Sequence, residues 1–213
     1  MRRYGSFFLL ALALGIAPGP DILFVFAQSL SRGAAAGAWV TLGLCTGLLV
    51  HITLAAFGVA AVLKRYPAFF TLLTWCGAAY LVYLGILTLR QPPPQLAGPA
   101  AAGTETGLGL YLRGIIMNLF NPKVMLFFIA LMPRFILPER GRVALQFLTL
   151  GALFIFATLL VFNLVAAGGG TLSARLAAYP AAPRYLQIAS AAVMFGIAAW
   201  IALANCRSSA VVR

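Results

Sequence analysis

Apolar residues fill six long stretches of this chain, approximately 6–30, 36–63, 67–89, 110–132, 143–167 and 184–205. Each is long enough to cross a hydrocarbon core that needs about 20 apolar residues per helix. Of the 213 residues, 63% are hydrophobic and only 8% charged, and the mean hydropathy is +1.01, so there is too little polar surface to cover a soluble globule. The chain belongs in lipid, and the expected fold is an all-α membrane protein with six transmembrane helices.

The remaining composition narrows the partners. A formal net charge of +12 would suit nucleic acid if it were gathered on one element, but the 15 Lys and Arg are scattered singly or in pairs at the ends of apolar runs. That distribution fits lipid headgroups and argues against nucleic acid. Arg2 and Arg3 ahead of Phe7 to Gly15 mimic a secretory signal, yet no small-residue cleavage site precedes a polar segment, so the run reads as an uncleaved first span. Cys45, Cys76 and Cys206 stand alone within or at the ends of apolar stretches and read as small packing residues. With no Cys-x-x-Cys pair, one His and three acids, neither a metal cluster nor another cofactor is expected.

Breakers mark the connectors: Ser31-Arg32-Gly33, Lys64-Arg65-Tyr66-Pro67, Pro133 to Arg142, and Gly168 to Pro183. The segment 90–109, stiffened at its start by Pro92-Pro93-Pro94, is the one long loop, and it divides a single membrane domain into an N-terminal three-helix repeat, 1–89, and a C-terminal one, 110–213. Both repeats contain a proline-interrupted helix, at Pro18-Gly19-Pro20 and at Asn121-Pro122-Lys123. Interrupted spans in matching positions of two halves point to an inverted repeat whose site lies where the breaks meet, and an odd number of helices per half requires the second half to be upside down. If both termini face the cytoplasm, that side carries Arg2, Arg3, Lys64, Arg65, Arg134, Arg140, Arg142, Arg207 and Arg213 against Arg32, Arg90, Arg113, Arg175 and Arg184 opposite, which favours this orientation.

Polar residues inside the spans are the candidates for chemistry. Asp21 follows the first break and shares a helical face with Gln28; it either lines a pathway or caps the helix that restarts at Pro20, and the two roles are compatible. Irregular backbone at Pro18 and Gly19 survives at membrane depth only where it lines a cavity or is buried in protein. Gly43, Gly47, His51 and Gly58 form one stripe, where the glycines suit close helix packing and His51 suits either a proton relay or an interhelical hydrogen bond. On the fourth stretch Asn118, Asn121 and Lys123 surround Pro122; Lys123 either attracts Asp21 across the two breaks or snorkels to an interface. Tyr80, Tyr83, Asn163, Gln187 and Ser190 are weaker candidates for a polar path, the tyrosines also reading as interfacial anchors.

Taken together, Ala17-Pro18-Gly19-Pro20-Asp21, Gly33-x3-Gly37, Gly43-x3-Gly47, His51 and Gly58 resemble the N-terminal signature of the LysE/RhtB family of lysine and homoserine/threonine exporters. Gly77-Ala78-Ala79-Tyr80-Leu81-x2-Leu84-Gly85 is similar to that family's third helix. Gly114-x3-Asn118-x2-Asn121-Pro122-Lys123-x3-Phe127-Phe128, with Pro133-Arg134-Phe135, is similar to its fourth. The likeness covers roughly residues 6–136; beyond them it extends only to hydropathy, and the very apolar loop from Gln91 to Gly103 departs from more charged relatives. The resemblance implies a multi-pass carrier of the bacterial inner membrane that exports amino acids or close derivatives in exchange for protons, with the two breaks as its functional core, and it leaves room for a homodimer.

The expected mechanism follows from the two breaks. Free N–H groups at a restarted helix and Lys123 would draw a carboxylate, while Asp21 would receive an ammonium group or a proton. A passive channel or a structural membrane subunit is the alternative. A membrane-embedded enzyme would need paired acids or a nucleophile near His, which the chain does not offer in usable combination. Sparse acids disfavour a dibasic substrate and leave neutral or small polar amino acids.

Overall fold

Pro20 and Pro122 each begin a new helix immediately after an extended residue, and the chain is organised around those two restarts. The computed structural model describes residues 2–17, 19–59, 67–92, 106–177 and 181–211. Helices α1 (Arg2–Ile16) and α2 (Pro20–Arg32) form the first broken pair, bent by 59°. After Gly33, whose φ of 86° favours glycine, α3 (Ala34–Leu54) runs into a π-helical turn at Ala55–Val59. The third expected stretch is α4 (Pro67–Arg90). A second broken pair follows, α5 (Gly107–Leu119) and α6 (Pro122–Leu126), the latter continued by π and 3-10 turns to Phe135 and bent by 50° from α5. Helices α7 (Val143–Ala177) and α8 (Ala182–Val211) complete the fold.

Among the described residues every regular element is helical. Three helices among the described residues, Ala34–Gly58, Val143–Gly169 and Pro183–Leu203, are long and apolar enough to cross a membrane, and counting each bent pair as one span raises the number to five. Outward-facing Leu9, Leu54, Phe57, Leu108, Phe156 and Leu203 are all more than half exposed, as lipid-facing side chains would be.

Packing exchanges partners between the halves. The first broken pair, α1 and α2, lies on α7; the second, through α5, lies on α3. Helices α3 and α7 touch each other, and α4 pairs with α8. One aromatic-rich core joins Phe7 of α1, Phe127, Phe128 and Phe135 beyond the second break, and Phe154 of α7. A smaller aliphatic core gathers Val25, Val40, Leu44 and Val161 on the other side of the breaks.

Two sequence expectations change here. Gly168 to Pro183 was the expected connector, but α7 continues helically to Ala177. Gly169 permits a close approach instead of ending the helix, because a Cβ there would lie 2.9 Å from the Cβ of Ser29 on α2. Gly43 and Gly47 do pack against a neighbouring helix. A Cβ on Gly43 would collide with the Tyr111 carbonyl of α5, and one on Gly47 would lie 2.7 Å from the Cβ of Asn118. Gly58, expected on the same stripe, meets nothing within 4 Å among the described residues. The partner helix α5 ends at Leu119, level with His51, so Gly58, seven residues further along, lies beyond the α3–α5 crossing.

At the α3–α5 crossing, Gly43 and Gly114 face each other so closely that a Cβ on Gly114 would sit 3.1 Å from the Gly43 Cα. Gly43→Val therefore has to push the two backbones apart, at a cost of roughly 1–3 kcal/mol or more. Thermal unfolding of the detergent-solubilised protein should show Gly43→Val well below the parent and Gly58→Ala level with it.

Candidate functional site

A proline at position i deprives the carbonyl of residue i−4 of its helical donor, and in hydrocarbon no water replaces it. Pro18, which lies outside the described residues, deprives Leu14; Pro122 deprives Asn118. Both carbonyls are served from another helix. Lys123 Nζ donates to Leu14 O at 3.2 Å and to Ala17 O at 3.2 Å. Asn118 O lies 3.1 Å from His51 Nε2, an arrangement that calls for the tautomer protonated on that nitrogen, and also accepts from Asn121 N at 3.0 Å.

The restarts share one local design. Gly19 and Asn121 are extended N-cap residues, Pro20 and Pro122 occupy the first helical position, and Asp21 and Lys123 the second. The Asn121 side chain accepts from Lys123 N at 3.0 Å, closing its own cap. Through its amide nitrogen it donates to Asp21 Oδ2 at 2.6 Å, across 100 residues of sequence. Asp21 suits the positive end of α2, whereas Lys123 opposes the dipole of its own helix. Its ammonium group instead answers the carbonyl end of α1. The second restart thus donates hydrogen bonds to both sides of the first break, to the carbonyl end of α1 and to Asp21.

Asp21 and Lys123 come to the same junction, close enough for their opposite charges to attract, without forming a contact ion pair within 4 Å. Neighbouring backbone and Asn121 take their bonds instead, because the frayed carbonyls of α1 present a nearer acceptor to the ammonium group.

Two cavities meet at this junction. A small one of about 30 Å³ is lined by Gly19, Asp21, Asn118, Asn121, Lys123 and Thr158 with apolar neighbours. Two buried acceptors of that set, Asp21 Oδ1 and Asn118 Oδ1, have no hydrogen-bond partner among the described residues. A wider cavity of about 450 Å³ shares Gly19, Asn121 and Lys123 and extends along Leu23, Leu84, Leu87 and Met194 to Thr88, Gln91 and Gln187.

Of the residues singled out from sequence, Gly19, Pro20, Asp21, Asn118, Asn121, Pro122, Lys123 and Gln187 line one cavity or both. Gln28 is buried along α2 but lines neither, and its Oε1 has no partner among the described residues. His51 holds Asn118 from outside the cavities and stacks on Phe128, with ring centroids 6.1 Å apart. Ser190 is buried on α8. Tyr80 and Tyr83 pack on each other at 5.6 Å with Tyr83 exposed, and Asn163 returns its amide to Leu159 O on an exposed face. Sequence reading missed Thr158, Leu23, Leu87, Met194, Thr88 and Gln91. Lone hydroxyls and aliphatic side chains in apolar runs carry no local signal, and only the polar end of α4 at Arg90-Gln91 hinted at a wet boundary.

Apolar helices wrapped around a buried acid, a lysine and two broken helices define a membrane protein with a buried polar junction. A family model described as "LysE type translocator" matches residues 12–205, a range that contains both breaks, and the chain belongs to that family. It is similar to the "Homoserine/homoserine lactone efflux protein" of Salmonella typhi, 34% identical over 182 residues and 85% of each chain. An "Uncharacterized membrane protein" of Vibrio cholerae is 33% identical over 181 residues, again 85% of each chain. The "Leucine efflux protein" of Salmonella typhimurium is 33% identical over 137 residues, 63% of each chain. No solved structure matches the chain significantly.

Removing the Lys123 ammonium group leaves the Leu14 and Ala17 carbonyls short of a donor, at roughly 1–3 kcal/mol for each unsatisfied group. Lys123→Met should lower the unfolding temperature in detergent; an unchanged temperature would mean that the bond across the breaks contributes nothing to the fold.

Proposed function

We propose that this chain is a secondary active exporter of amino acids or close derivatives in the bacterial inner membrane, exchanging its substrate for protons. The observation that carries this reading is the paired break: Asp21 and Lys123 stand at equivalent positions of two restarted helices and line one cavity, and Asp21 Oδ1 is a buried acceptor with no hydrogen-bond partner among the described residues. The efflux activities named for the similar proteins of Salmonella support the same reading.

A zwitterion is held by both ends. Its ammonium group takes Asp21 Oδ1 and Asn118 Oδ1, and its carboxylate takes the Lys123 ammonium group and the N–H groups at the start of the restarted helices. A proton arriving on Asp21 removes the charge that holds the ammonium group, so proton entry and substrate release are linked through one carboxylate. The aromatic core around Phe7, Phe127 and Phe135 blocks the side of the breaks nearer the N-terminus, while the wide cavity reaches the ends of α4 and α8 on the other side. This asymmetry supports alternating access, with one face closed while the other is open.

The architecture we assign to the exporter is six spans in two inverted three-helix repeats, 1–89 and 110–213, joined by 90–109. The exchange of packing partners supports it: α1 and α2 on α7 is matched by α5 on α3, while α3–α7 and α4–α8 are the pairs that a twofold relation maps onto themselves.

In proteoliposomes, Asp21→Asn should reduce proton-driven export to background while the protein remains folded. Export at the parent rate would remove Asp21 from the mechanism. Saturable exchange of labelled for unlabelled amino acid without a gradient distinguishes a carrier from a pore, which gives none.

A further inference from the structure

The wide cavity carries a second layer of information, about the portion of the substrate that is not the zwitterionic head. We propose that it is a side-chain pocket for a neutral amino acid with an aliphatic side chain of about the size of leucine or methionine. The proposal rests on the transport reading given above and narrows its substrate class.

Size comes first. At about 30 Å³ the inner cavity has room for a water molecule or an ammonium group, not for a whole amino acid. The cavity of about 450 Å³ falls within the roughly 300–1,000 Å³ typical of small-molecule sites. The two share Gly19, Asn121 and Lys123, so a molecule whose ammonium group occupies the inner cavity and whose carboxylate meets Lys123 directs its side chain into the wide one.

Chemistry comes second. Leu23, Leu84, Leu87 and Met194 supply aliphatic walls. Gln187 looks polar in the sequence, but its amide is spent: Nε2 donates to Thr88 O and, at 2.7 Å, to Gln91 O, while Oε1 accepts from Arg184 at 2.6 Å. Those bonds also consume two carbonyls at the end of α4 that would otherwise have received a substrate donor. Among the described lining residues of the wide cavity Lys123 is the sole charged side chain. A second ammonium group, as on lysine, therefore meets no counter-charge among the described lining residues, and a second carboxylate has to compete for Lys123. A hydroxyl leaves aliphatic wall uncovered, a poor exchange where a methylene is worth roughly tenfold or more in discrimination.

The test uses the full chain in proteoliposomes and separate exchange assays with labelled leucine, methionine, homoserine, serine, lysine and glutamate. Leucine and methionine should saturate at concentrations roughly tenfold below those for serine and homoserine, with lysine and glutamate scarcely exchanged. Leu87→Trp, at a residue on the cavity rim, should raise the half-saturating leucine concentration several-fold and leave serine nearly unchanged; Leu84→Phe should act in the same direction. Serine or homoserine saturating as low as leucine, or both variants affecting every substrate equally, would overturn the side-chain pocket and leave the transport reading standing. No exchange of any amino acid by folded protein would remove both.

Discussion

Everything in this fold depends on how a backbone carbonyl stripped of its helical donor finds another. Prolines at 18 and 122 strip the helical partner from Leu14 and Asn118, and hydrocarbon leaves such a group far costlier than it would be in water. Lys123 answers one break and His51, with the Asn121 N–H, answers the other. The polar residues that populate the membrane interior are therefore structural and chemical at once. An ammonium group drawn to frayed carbonyls, and a carboxylate anchored by one oxygen through Asn121, leave the second carboxylate oxygen buried with no hydrogen-bond partner among the described residues.

Much of this was legible in the sequence because it follows from covalent chemistry. A missing N–H and an acid inside an apolar run are facts of composition and order, and they located both breaks and most of the polar residues lining the junction. Glycine was less readable. Gly43, Gly47 and Gly58 look alike in sequence, yet whether a glycine packs depends on what stands opposite, and α5 ends level with His51, before it could meet Gly58. The run of glycines from Gly168 looked like a stop signal; close contact with Ser29 kept it within a helix.

The relation between Asp21 and Lys123 was half legible. Opposite charges in two breaks suggested mutual attraction, and the structure brings them to one junction, but each binds backbone or amide partners in preference to the other. Sequence reveals which groups must be satisfied, not which of several acceptors lies nearest. The wide cavity was illegible for a similar reason: Leu23, Leu87 and Met194 come from three helices and differ in no visible way from the aliphatic residues that face lipid.

The crossing of Gly43 over Gly114 bears on how the molecule divides its helices between tasks. Two backbones in direct contact leave no side chains to rearrange between them. Gly47 and His51 add contacts to Asn118, at the foot of the second break. Among the described residues, no lining residue of the wide cavity comes from α3 or α5: its walls are α2, α6 and the α4–α8 pair that the Gln187 amide ties together. The glycine joint and the hollow beside the breaks are thus built from different helices.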